Sequence, residues 1–271
     1  MQRSSDPNLR APIVAIMIFQ VAALFARAFL EIRLIESGEP KPFAQDLSYL
    51  LVPPILIILM YPILRHHGPF LLSLLRRHDL TVRLVVFSVM LGITLRLTYW
   101  GGLISLISFG ALRNSDPDAI VGPVVYFGCP EPSVLALSFL VVSFLIPVIE
   151  EVINRGLILQ TLIQRGKLLA IVLSAALFAI MHNPQAIAVA FTGGLILAVH
   201  MINCKTLWAP LITHASYNAV SVLDWECVST QWNPIETSPV MIGTGLIATA
   251  LAVVGASFSI FLVLRKDHRG A

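Results

Sequence analysis

Charge is what this chain has least of. Only 12% of its 271 residues are Asp, Glu, Lys or Arg, against 57% hydrophobic, and mean hydropathy is +0.84. A water-soluble domain carries about 25% charged residues. An ordinary soluble fold is therefore excluded, and lipid is left to solvate most of the outside. The net charge of +3 does not suggest nucleic acid as a partner, because the excess Lys and Arg sit at loops of one sidedness. Repeats, low-complexity tracts and long linkers are missing, which argues against a repeat-built carrier and for a single membrane domain over 1–271. No small-residue cleavage site follows the first apolar run, which reaches Leu30, so that run reads as a retained anchor helix. Cysteine is scarce, with three residues. Cys129 and Cys227 fall in loops on one side and Cys204 at the opposite end. Spacing leaves a bridge between the outer pair and two free thiols equally open.

What the chain has is apolar length. A spanning helix needs about 20 apolar residues, and eight stretches qualify with soft edges: 11–32, 47–64, 82–110, 133–163, 167–182, 185–203, 206–223 and 239–264. The expected fold is an all-α polytopic membrane bundle of about eight transmembrane helices. Pro147 should kink the fourth span just before Glu150, Pro53-Pro54 should distort the second, and Pro184 separates the fifth from the sixth. Alternating the spans puts most of the 18 Lys and Arg on one side. Only Arg33, Lys41 and Arg113 fall on the other, and Arg27, Arg96 and Arg155 lie within spans. The positive-inside bias then places both termini in the cytoplasm of a multi-pass cell-membrane protein. The segment 65–79 has an apolar centre between basic ends. A plain loop obeying that bias is the simpler reading, and a helix along the lipid surface is the alternative.

Against this background a few ionisable groups stand out. Glu150-Glu151-x-x-x-Arg155, Phe178-x-x-x-His182 and His214-x-x-x-Asn218 all lie inside apolar spans, where a charge costs about 2.5–3.5 kcal/mol even on insertion scales. Arg155 is four residues after Glu151, the favoured pairing distance. Neighbouring helix residues point about 100° apart, so Glu151 pairs with Arg155 while Glu150 is left for a cavity as general base. Glu150 and His182 each lie about 22 Å from the basic end of a helical hairpin, level with one another. His214 lies only about 13 Å deep, and tilt or a kink near Pro210 must close the gap. Glu150 and His182 suit holding and deprotonating a water, and His214 with Asn218 suits stabilising an oxyanion. Each residue also has a structural reading: a packed histidine, an interhelical asparagine, a buried ion pair. Their joint occurrence favours a hydrolase site. His200 has no matching partner and reads as structural. Arg27 with Glu31, and Arg96, read as helix-pairing or interface groups.

With these residues in view, the chain resembles the CPBP family of intramembrane proteases, which includes the CAAX prenyl endopeptidases and bacteriocin-processing relatives. The resemblance rests on the three patterns in that order and covers a catalytic core of about 133–223. It implies a metal-free glutamate mechanism in which Glu150 activates water with His182 assisting, His214 and Asn218 form the oxyanion site, and Glu151 and Arg155 support them. It implies a membrane-anchored protein or peptide substrate, cut near its C-terminal or transmembrane segment, and no cofactor. The residues alone leave a zinc site of Glu150, His182 and His214 open, and also a non-enzymatic scaffold or immunity protein. No feature specifies an oligomeric state. The depth of Glu150 suits access from the outer face.

Overall fold

The computed structural model of the chain describes residues 10–113, 121–234 and 238–264. Helices occupy all eight expected places. They are α1 (Ile13–Glu36), a broken second region of α2 (Lys41–Tyr49), α3 (Val52–Leu59) and α4 (Tyr61–Leu74), then α5 (Val82–Arg113). After these come α6 (Pro132–Arg165), α7 (Lys167–Ala179), α8 (Ile187–Cys204), α9 (Trp208–Cys227) and α10 (Ser238–Leu264). The protein is an all-α membrane bundle. Among the described residues five helices are long and apolar enough to cross a bilayer, or six if the bent pair counts as one span. α7, at 13 residues, reaches only about 20 Å.

Two places differ from expectation. The second span is bent by 89° between Phe43–Leu59 and Tyr61–Asp79. The sharp break falls at Met60, ahead of Pro62, rather than at Pro53-Pro54. Both prolines of that earlier pair sit in the first turn of α3, where their missing N–H costs nothing. The segment past the break is the helix α4, not a loop. Second, the connections after α5 and α9 carry an antiparallel ribbon, β1 (Val121–Phe127) on β2 (Val228–Pro234), with Phe127 opposite Val228. The next rung pairs Gly128 with Cys227 through a Gly128 N–H to Cys227 carbonyl bond of 2.9 Å, and a disulfide joins Cys227 to the adjacent Cys129.

Polar side chains tie helices where apolar surface alone gives little driving force in lipid. Asp46 of α2 accepts from the Ser138 hydroxyl of α6. Ser105 and Thr249 link α5 to α10 at 2.6 Å, and Ser259 donates to Thr94 at 2.8 Å. Arg96 reaches the Tyr217 hydroxyl at 3.4 Å and lies over the rings of Tyr99 and Tyr217, the interhelical role its position suggested. Arg27 pairs with Glu31 at 3.3 Å. His200 is not solitary: Nε2 is 3.1 Å from Ser88 Oγ on α5 and Nδ1 is 3.6 Å from Cys204 Sγ. Gly92 of α5 lies so close to α9 that a Cβ there would sit 2.4 Å from the Thr213 carbonyl. The apolar core nearest the site joins Ile16 of α1, Leu71 of α4, Leu157 and Ile158 of α6, Met201 of α8 and the buried Leu207.

Candidate active site

The site is built on α6, and α6 is not a plain α-helix. It is wound as π-helix over Phe139–Leu145 and Val152–Ile158, with Ile146–Glu151 between them. Such wide turns are rare and frequent at functional sites. Pro147 explains how the first one ends. The Ile146 N–H bonds the Val141 carbonyl, five residues back. The next donor in that register belongs to residue 147, and proline has none. The Val142 carbonyl is supplied instead by Asn218, whose Nδ2 donates to it at 2.8 Å. The Glu150 carbonyl is likewise met by Asn154 Nδ2 at 2.8 Å. The kink expected at Pro147 thus takes the form of a widened turn with a side chain from α9 docked onto it.

Glu151 is fully buried, with Arg155 beside it at 1% exposure. Arg155 Nε lies 3.2 Å from Glu151 Oε2, an ion pair without hydrogen-bond alignment. The guanidinium also reaches the Gly194 carbonyl at 3.3 Å and stacks 4.5 Å over the Phe178 ring. The other Glu151 oxygen, Oε1, is 2.8 Å from His214 Nδ1. That contact fixes the imidazole: Nδ1–H donates to the carboxylate, and Nε2 turns to the one nearby glutamate with solvent access. His214 Nε2 is 3.7 Å from Glu150 Oε2, and the Glu150 side chain is 26% exposed. In the order Arg155, Glu151, His214, Glu150 each carboxylate stands beside a nitrogen group, as carboxylates in a low-dielectric interior require.

His182 stands differently from expectation. α7 ends at Ala179, so His182 lies in the turn beyond it. Its Nδ1–H donates to the Phe178 carbonyl at 2.9 Å, which leaves the Nε2 lone pair free for another partner. The Phe178 ring touches both imidazoles, with centroids 4.6 Å from His182 and 5.9 Å from His214. The structure therefore brings Glu150, Glu151, Arg155 and His214 into one chain of contacts. Asn218 joins through the α6 backbone and His182 through Phe178. No kink at Pro210 is needed, because that residue lies in the first turn of α9. The linking turn is itself buried, with Thr206 at 2% and Leu207 at 0% exposure, so α9 starts inside the protein. Sequence reasoning missed the Glu151–His214 bond and the roles of Phe178 and Val142. The Phe178-x-x-x-His182 spacing was the signal for Phe178.

Residues 132–220 match the family model described as type II CAAX prenyl endopeptidase, Rce1-like. That stretch is the Rce1-like region of the chain. It holds every residue of the site and about a third of the sequence. The family is one of peptide hydrolases, and the apolar helices mark the chain as an integral membrane protein. No curated protein and no solved structure matches the chain. Among the described residues no three His, Cys, Asp or Glu side chains stand close enough to share one ion. Glu150, His182 and His214 do not make a three-ligand site here.

Proposed function

We propose that this protein is a glutamate-type intramembrane endopeptidase of the cell membrane. It hydrolyses a peptide bond of a membrane-anchored substrate near its C-terminal or transmembrane segment, with both of its own termini on the cytoplasmic side and no cofactor. The observation that carries the reading is the contact chain Arg155–Glu151–His214–Glu150, inside the stretch that matches an endopeptidase family.

In this mechanism a water sits at the apex of the 3.7 Å gap between Glu150 Oε2 and His214 Nε2, at about 2.8 Å from each. Glu150 takes its proton as the oxygen attacks the scissile carbonyl. His182, with its Nε2 lone pair available, holds the same water from the α7 side. The carbonyl oxygen becomes an oxyanion. It is met by the His214 imidazolium, which Glu151 stabilises from behind, and by the second N–H of the Asn218 amide. The proton on Glu150 passes to the leaving nitrogen as the C–N bond breaks. Glu151 and Arg155 touch no reacting atom and act by positioning His214.

The test uses the full-length protein in lipid vesicles with membrane-anchored peptides as substrates. Glu150→Gln keeps the shape and removes the base. Cleavage is expected to fall by about 10²–10⁴ with unchanged thermal unfolding. Cleavage that persists in Glu150→Gln overturns the assignment.

A further inference from the structure

The sharp bend at Met60 gives α4 a position the protease reading does not use. α4 runs at a steep angle to the preceding helix, and its two faces have different chemistry. The inner face is enclosed: His67, Leu71 and Leu74 are buried, and the two leucines belong to the same core as Leu157 and Leu207. The end of α4 is fastened by two hydrogen bonds to the Leu74 carbonyl, from Leu207 N–H at 3.0 Å and from the Thr206 hydroxyl at 2.9 Å. Those residues follow Lys205 directly. The outer face and the turn after it expose Tyr61, Arg65, His66, Leu72, Arg76 and Arg77. The three guanidiniums have no hydrogen-bond or ion-pair partner among the described residues. An open cavity of about 510 Å³ lies over the first turn, lined by Tyr61, Pro62, Arg65 and His66.

The surroundings fix what this face meets. The start of α1 is tied to the same end of the bundle by the Ala11 N–H to Thr161 hydroxyl bond of 3.2 Å. That bond places Arg10 beside the α6–α7 turn with its Arg165 and Lys167. α4 therefore lies across the basic end of the bundle, with cations and a tyrosine hydroxyl facing outward. Leu72 stands 70% exposed among them. A helix with apolar side chains between unpaired arginines, held across the ends of spanning helices, belongs in the headgroup layer. Its unpaired charge is complementary to phosphate.

We infer that the outer face of α4 is a binding site for the phosphate of an anionic lipid headgroup, seated at Tyr61, Arg65 and His66 and assisted by Arg76 and Arg77. Bound lipid then bears on the catalytic helix, because Leu71 packs on the second π turn: a Cβ at Gly156 would lie 2.6 Å from Leu71 Cδ2.

The test follows thermal unfolding of the detergent-purified full chain during titration with short-chain phosphatidylglycerol, phosphatidylcholine or inorganic phosphate. Phosphatidylglycerol is expected to raise Tm in a salt-sensitive manner, and the other two to leave it unmoved. The triple variant R65Q/R76Q/R77Q should bind about a hundredfold more weakly, at about 1 kcal/mol or roughly fivefold for each arginine. The charge-retaining R65K/R76K/R77K should keep most of the effect, which separates lost charge from lost fold. Equal shifts with phosphatidylcholine, or a phosphatidylglycerol shift that survives the triple Gln variant, overturn the inference. An equal shift with inorganic phosphate overturns the lipid assignment in favour of a free-anion site. None of these readouts depends on proteolysis, so the inference and the protease reading fail separately.

Discussion

Glu151 shows how much one side chain carries here. Its carboxylate has no solvent, and its two oxygens face a guanidinium and an imidazole from different helices. Glu151→Gln leaves Arg155 charged and enclosed without its counter-ion. The expected cost is about 3–5 kcal/mol, read as a large fall in Tm, with the contact to His214 weakened. Glu150→Gln is expected to leave Tm nearly unchanged, because Glu150 is partly exposed and its contact to His214 is long. Two adjacent glutamates should thus separate into a stability residue and an activity residue, and a thermal shift assay beside a cleavage assay reads both. The Glu151–Arg155 half of this was legible from the four-residue spacing. The His214 half was not. It depends on where α9 begins, and that is set by a buried turn held by the backbone of α4, with no local pattern to announce it.

At the scale of the elements, α6 owes its shape to Pro147 and to the side chain that answers it. Asn218→Leu removes the donor to the Val142 carbonyl, and about 1–3 kcal/mol of stability should be lost. Pro147→Ala restores a backbone N–H at the place where the register needs one. The double variant should therefore recover part of the stability lost in Asn218→Leu, and a double-mutant cycle measures that coupling. Additive effects would disconnect the asparagine from the proline. α5 and α9 meet closely at Gly92. A methyl at Gly92 meets backbone rather than a movable side-chain end. Gly92→Ala must push α9 away and carry His214 with it, so activity should fall along with Tm. Proline announced the distortion in α6. The first wide turn was not readable, because it depends on a partner seventy or so residues further along.

The whole molecule is a bundle with unlike ends. One end carries the ribbon and the Cys129–Cys227 bridge, which closes a separation of 98 residues. The other carries α4 and the basic turns. A loop of that length is worth about 4–5 kcal/mol in the chain-entropy account, so Cys129→Ser should lower Tm without abolishing cleavage. A membrane-impermeant maleimide applied from outside intact cells should label the outer pair only after reduction and leave Cys204 unlabelled. The helical spans were readable because hydropathy acts locally. The ribbon was not, because its two strands are brought together from opposite ends of the catalytic region and neither has a strong alternating pattern of its own.

The most direct measurement compares the C-termini of membrane proteins in cells expressing the wild-type chain and in cells expressing Glu150→Gln at equal abundance. Shortened C-terminal forms present only with the wild type are the expected result. Identical termini in both, or the same shortened forms with the glutamine variant, would contradict a hydrolytic site built on Glu150.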